Sequence, residues 1–239
     1  MQLELLYSAN DGFVPLDYRP FIMSNFKGPL SNLYSGVFDE LYSKDKIKPK
    51  SFTFSVYFQN AKIEKERIII PSKKFKVTLS SYDSATVLFF YNSMLLKLNQ
   101  ISKIPMKTTI TLNGLSLKDI PDIEKDEVKI KFLSPLLVRD KNEESELYLD
   151  YKSREFEEKL NIITKNFIDT LSDNDFSSNE IELIPIEAKQ TVVKNMKLLF
   201  NASYGTFLLK GDHKLLTILQ NSGMGSRRGE GFGMFKVIE

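Results

Sequence analysis

The sequence has no cysteine, no tryptophan and a single histidine, with 11 glycines in 239 residues. Without cysteine there is no disulfide, thiolate zinc site, iron-sulfur cluster or cysteine nucleophile. One imidazole, His213, excludes zinc sites built on two or three histidines and leaves a single residue for histidine-dependent acid-base chemistry. A charge excess of either sign is missing too. Lys and Arg number 33 against 31 Asp and Glu, a net charge of +2, so a nucleic-acid partner requires the basic residues to be gathered locally. No uncharged apolar run approaches the ~18 residues of a membrane helix. Residues 1–9 carry Glu4 and no basic leader, so the expectation is a cytoplasmic protein without a membrane partner.

What is present is an ordinary globular composition, 42% hydrophobic and 27% charged, long enough for one large domain or two small ones. Hydrophobic periods lay out the first half. Residues 3–7 predict a short strand. A helical region follows over 18–43, which Gly28 and Pro29 are expected to break, a later helix starting near Pro29. Phe52, Phe54, Val56 and Phe58 alternate as a half-buried strand, and Phe75, Val77 and Leu79 mark another. After Asp83, a candidate N-cap, the residues Val87, Tyr91, Met94, Leu98 and Ile101 recur at helical steps. Thr108 to Leu117 closes the half as a strand, giving the order βαββαβ.

The polar stretch PDIEKDE (121–127) is expected to be a linker. The same order then recurs. Val128, Ile130 and Phe132 alternate with Lys129 and Lys131; Phe156, Leu160, Ile163, Phe167 and Leu171 stripe a helix; residues 180–209 hold at least two strands. Asp212 caps a short helix carrying Leu215, Leu216 and Leu219, and Phe232 to Ile238 predicts the last strand. The expectation is an α+β protein of two tandem ferredoxin-like (βαββαβ, RRM-like) domains, residues 1–120 and 127–239.

Five of the 11 glycines fall between residues 223 and 233, in NSGMGSRRGEGFGMF. This is no dinucleotide fingerprint, because GxGxxG fails at Arg228 and the order is helix, glycines, strand rather than the reverse. No Walker A pattern exists. A loop whose peptide N–H groups form an anion-binding concavity, with Arg227 and Arg228 at its tip to pair phosphates, fits the pattern. A glycine-rich hairpin that happens to be basic fits it as well.

The run Gly223-Met-Gly225-Ser-Arg-Arg-Gly229-Glu-Gly231-Phe-Gly233 resembles the C-terminal glycine-rich motif of the CRISPR-associated endoribonucleases that cut repeat RNA, members of the RAMP superfamily. SFTFSVYF (51–58), VKIKFLSPLLV (128–138) and YGTFLLKGDHKLLTIL (204–219) resemble other segments of that family, in the same order. The resemblance implies two ferredoxin-like domains and metal-independent cutting of the precursor CRISPR transcript, with no cofactor. Its implied partner is CRISPR repeat RNA, as precursor and as mature guide; an effector complex and a homodimer stay open. RAMP subunits that bind RNA without cutting it share the glycine motif, so an inert RNA-binding protein is a second reading. A third is an unrelated α+β protein whose glycine loop binds a phosphorylated small molecule.

In the family a histidine near the end of the first helix serves in cleavage, with a tyrosine and a lysine nearby. Here DELYSKDKIKPKSFTFS places Tyr42 in the histidine's position. The candidate catalytic residues are therefore Tyr42, Tyr34 two helical turns earlier, and Lys44, Lys46 and Lys48, with Lys50 next in the run; a solvated lysine loop has the same pattern. The candidate RNA-binding residues are Gly223, Gly225, Arg227, Arg228, Gly229, Gly231, Phe232 and Gly233, with Lys129, Lys131 and His213. Lys129 and Lys131, like Lys74 and Lys76, suit a strand face that tracks RNA, and a solvated sheet face looks identical. His213, at a helix start, suits a phosphate contact or a surface position.

Overall fold

The computed structural model describes residues 1–42, 48–141, 146–171 and 180–238. The chain divides into two compact units. The first holds Met1–Ile47, Ser55–Asp119 and Lys194–Leu198, and the second holds Lys48–Phe54, Ile120–Val193 and Leu199–Glu239. Among the described residues no helix is long and apolar enough to cross a membrane.

The first unit runs β1 (Gln2–Ala9), β2 (Phe13–Pro15), α1 (Arg19–Leu33), α2 (Ser35–Tyr42), β3 (Phe52–Phe58), β4 (Lys62–Ile63), β5 (Arg67–Ile69), β6 (Lys74–Ser81), α3 (Ser84–Leu95), β7 (Ile101–Ile104) and β8 (Thr108–Lys118). The first three residues of β3 count with the second unit. Its main sheet has the order β3-β6-β1-β8-β7. With β7 set aside, the second, third, first and fourth strands of a βαββαβ unit lie side by side, which is the ferredoxin-like order. Alternation decides which face is buried. Leu3, Leu5 and Tyr7 stand opposite Leu79, Val77 and Phe75, all buried, while Glu4 on the other face takes Lys76 and Lys118, each at 2.7 Å. Beneath the core face Phe26 of α1 meets Phe90 of α3 edge to face at 5.7 Å.

Helix α1 does not break at Gly28 and Pro29, as the sequence predicts, but runs through both to Leu33. A proline inside a helix costs about 3 kcal/mol. The turns it joins bury Phe21, Ile22, Met23, Phe26 and Leu30, each worth roughly 1.5–3 kcal/mol when fully buried, so packing wins. The break comes at Tyr34, with φ −138° and ψ 65°. Helix α3 starts as expected, the Asp83 carboxylate accepting from the N–H groups of Ala85 and Thr86 at 3.0 and 3.1 Å. It stops at Leu95, short of Leu98 and Ile101. Asn99 takes a left-handed φ of 60°, a conformation asparagine tolerates better than most residues, and Ile101 opens β7. The small sheet β2-β5-β4 is absent from the sequence expectation.

The second unit runs β9 (Glu127–Phe132), β10 (Val138–Lys141), β11 (Glu146–Leu149), α4 (Phe156–Ile168), β12 (Glu182–Asn195), β13 (Leu198–Lys210), α5 (His213–Ser222) and β14 (Phe235–Val237). Its sheet order, β12-β13-β9-β14, is again the ferredoxin-like one. Phe132, Phe167, Phe207 and Leu219 lie in one core with Ile123. The stretch 121–127, expected to be a linker, is thus part of this unit: Ile123 is buried, and its N–H donates to Thr217 Oγ1 of α5 at 2.9 Å. Strand β14 is shorter than predicted because Gly233 donates to Pro135 O at 2.8 Å outside the ladder.

Candidate functional site

The glycine-rich segment leaves α5 at Gly223 and returns to the sheet at β14. It is not an open loop. Among its residues only Ser226, Arg227 and Glu230 escape full burial. Its N–H groups are largely spent within the second unit: Met224 donates to Gly233 O, Ser226 to Leu137 O, Glu230 to Arg227 O, Gly231 to Arg228 O and Gly233 to Pro135 O, all within 2.9 Å. Met234 donates to Ser134 Oγ at 2.9 Å. The N–H groups of Gly223, Gly231 and Gly233 are thus spent on Leu219 O, Arg228 O and Pro135 O rather than left open as a cradle, and the segment is a strap bound into its own unit. The glycines answer to close approach. A Cβ at Gly231 (φ 84°) would lie 2.6 Å from the Phe54 ring, and one at Gly225 (φ 75°) would collide with Leu137 O. Phe232 is fully buried beside Phe200 and Leu137, and its carbonyl accepts from Thr53 Oγ1 at 2.8 Å.

The paired arginines, adjacent in sequence, go opposite ways. Arg228 is only 5% exposed, with its guanidinium 3.6 Å from the centroid of the Phe167 ring and a long hydrogen bond of 3.4 Å to Gly223 O. Burial pushes its pKa down to about 9, which leaves it charged at pH 7. It does not stand at a loop tip, and the stacking on α4 is the reason. Arg227 takes a left-handed φ of 56° and turns outward into a network. Its Nε donates to Tyr148 Oη at 2.6 Å, Nη1 to Glu230 at 3.1 Å and Nη2 to Glu146 at 3.3 Å. Desolvation alone would lower its pKa, but the Tyr148 hydrogen bond and the Glu230 charge outweigh it and hold the guanidinium firmly charged. Tyr148 in turn donates to Glu146 at 2.6 Å, which holds that carboxyl below the usual range.

One pair of sequence candidates comes together. Lys48–Phe54 belongs to the same unit as the glycine segment, and the stem of Lys50 packs on it: a Cβ at Gly229 would lie 2.9 Å from Lys50 Cγ. Lys48 is exposed just before it. Lys44 and Lys46 lie outside the described residues. Tyr34 and Tyr42 do not share a helix face, because the helix breaks at Tyr34. The Tyr34 hydroxyl accepts from Asn92 at 3.2 Å, and its ring meets Phe89 edge-on at 4.9 Å. The Tyr42 ring instead leans on Phe38 at 5.1 Å under the ammonium of Lys27, and burial raises its hydroxyl pKa.

On the β9 face opposite the core, Lys131 stands directly across from Lys236 of β14, with Lys129 two residues along. Like charges directly opposite one another are unfavourable unless an anion lies over them. His213 is turned to its own unit: its N–H and its Nδ1 both lie 3.0 Å from Asp126 Oδ1. Tyr148, Phe167 and Lys236 carry no signal in the sequence that marks them for this site. No group of three or more acid or imidazole side chains among the described residues is placed to hold a metal ion.

A sequence profile described as CRISPR associated protein Cas6, C-terminal, matches residues 118–237. The chain belongs to the Cas6 family. Solved structures agree in fold across the whole chain. One titled as the characterization of a Cas6-related gene from Pyrococcus furiosus superposes with a TM-score of 0.87 at 19% identity, covering 100% of this chain and 98% of that one. A RAMP protein described as binding different RNA substrates gives 0.87 at 18% identity, with both chains fully covered. A Cas6 product complex gives 0.71 at 14%, covering 99% of each. A search of curated protein sequences gives no match. Cas6 membership and the twofold ferredoxin-like order are thus two independent observations, one from sequence and one from topology.

Proposed function

We propose that this Cas6-family protein binds CRISPR repeat RNA and cuts the precursor transcript within its repeats. The 2′-hydroxyl attacks the adjacent phosphate: the 2′-oxygen–phosphorus bond forms as the phosphorus–O5′ bond breaks, leaving a 2′,3′-cyclic phosphate and a 5′-hydroxyl. Without a metal in the step, the protein's share is to hold those atoms in line and to stabilise the charge that develops on phosphate. The observation that carries the reading is the packing of Lys50 on Gly229, with Lys48 exposed beside it. It brings Lys48 and Lys50 together with the glycine segment, distant in sequence, in one unit. The Lys129, Lys131 and Lys236 face offers that unit a place for the RNA backbone.

Binding without cutting is the second reading, and the position of His213 favours it: the chain's one imidazole is engaged with Asp126 and does not stand where the family's histidine is expected. Incubation with labelled repeat RNA in EDTA separates the two. Cleavage to a cyclic-phosphate end supports the first, a stable complex with intact RNA supports the second, and neither result leaves the phosphorylated small molecule as ligand.

A further inference from the structure

Helix α3 has two apolar faces and only one of them is inside the first unit. Thr86, Val87, Phe90, Ser93 and Met94 are buried. The opposite face carries Ala85, Leu88, Asn92 and Leu95, all exposed, with Leu88 at 42% and Leu95 at 44%. Leu96, 49% exposed, extends it past the end of the helix. A helix face that meets water ordinarily carries charge, as α4 does with Glu157, Glu158 and Lys165. In a chain with 27% charged residues, none of residues 84–96 is charged. The four exposed positions follow one another at steps of three, four and three, the spacing of a seam that packs against one other helix. Tyr34 borders this seam. Its ring meets Phe89 at 4.9 Å and its hydroxyl accepts from Asn92 at 3.2 Å, which orients the one polar side chain of the four.

We propose that this face of α3 is the docking surface for a second copy of the chain, the two α3 helices lying antiparallel across a two-fold axis near residue 90. Steps of three, four and three read the same in both directions, so an antiparallel copy brings Ala85 opposite the partner's Leu95 and Leu88 opposite the partner's Asn92. The small Ala85 leaves room for the large leucine. In the same register Asp83, just before the helix, faces the partner's Lys97, just after it. The two charged residues that bracket the uncharged stretch therefore pair with each other at both ends of the contact. A parallel copy would set Asp83 beside the partner's Asp83 instead. In a two-fold contact one surface must complement itself, and a face neutral along its length with opposite charges at its ends does so. The contact runs along one helix of about 18 Å, the small end of specific interfaces, so the expected dimer dissociates in the micromolar range.

The test is sedimentation velocity of the full chain, without RNA, from low micromolar to a few hundred micromolar. The wild type is expected to pass from monomer to dimer over that range. Leu88→Glu should weaken the dimer at least about 30-fold and leave the thermal midpoint unchanged, because Leu88 is exposed in the single chain. Ile162→Glu, which alters an equally exposed residue of α4 (45%), should leave the dimer as it is. Ala85→Glu and Leu95→Lys should each weaken association alone. Mixed in equal amounts they should associate more tightly than either by itself, because position 85 of one copy faces position 95 of the other. If Leu88→Glu also lowers the thermal midpoint, the mixture decides. A wild type that stays monomeric throughout, which leaves the face to a different protein, overturns the proposal. A dimer that Leu88→Glu leaves intact, or a mixture no tighter than its components, overturns it as well.

Discussion

Arg227 and Arg228 show what single residues leave hidden in a sequence. Both expect a phosphate, yet one is stacked against Phe167 and the other is held by Tyr148, Glu146 and Glu230. The clustering of glycines was legible as a demand for close approach, but what the segment approaches was not, because Leu137, Pro135 and Phe54 come from distant parts of the chain. It follows that Gly231→Val, which drives a β-branched side chain into the Phe54 ring at a positive φ, should lower the thermal midpoint more than Arg227→Ala does. Equal shifts in the two melting curves would count against the strap. Tyr7 tests burial directly. Its hydroxyl is buried without a hydrogen-bond partner, and desolvation pushes its pKa well above the ordinary 10. Tyr7→Phe should therefore stabilise the fold at pH 7 by about 1–3 kcal/mol, measured by urea unfolding. The raised pKa means that the folded state holds the proton more tightly than the unfolded state does. The stabilising difference is complete below about pH 10 and is lost as pH rises beyond it, so the wild type should lose stability above pH 10 more steeply than Tyr7→Phe. Parallel curves between pH 8 and 11 would contradict this.

At the scale of elements, local signals succeeded where one residue type decides the geometry and failed where packing does. Asp83 and Asp212 were readable as N-caps, and both accept backbone N–H groups. Asp83→Ala should cost about 1 kcal/mol, checked by the urea midpoint. Pro29 misled, because the loss of one helical hydrogen bond is outweighed by the apolar face that α1 buries on either side of it. Gly28, expected to help break that helix, sits inside it with nothing within 4 Å of an added Cβ. Gly28→Ala should therefore raise stability by about 0.5–1 kcal/mol, and a lower melting temperature would show that the helix is under local strain there. The end of α3 escaped the periodicity because Leu98 and Ile101 keep the step of the helix although it ends at Leu95 and Asn99 turns the chain toward β7.

For the whole molecule, the repeated βαββαβ order was visible because hydrophobic period alone distinguishes strands from helices. The strand order, the added strands β2, β4, β5, β7, β10 and β11, and the traffic of short segments between units were not, since they depend on pairings between residues far apart in sequence. Ile123 illustrates this: within a polar stretch it reads as linker, and only the core containing Leu219 and Phe207 gives it a place. The same holds for function. The glycine motif pointed to the family, but the contact between Lys50 and Gly229 that supports a common site could not be seen before the fold. The central claim is that this Cas6-family chain processes repeat RNA by 2′-hydroxyl attack with no metal in the step. The most direct measurement is a single-turnover incubation of labelled repeat RNA with the full chain in EDTA, with the product ends identified. The account predicts a single cut within the repeat and an upstream fragment ending in a 2′,3′-cyclic phosphate. Cleavage abolished by EDTA, an upstream fragment ending in a 3′-hydroxyl, or RNA left intact would contradict it.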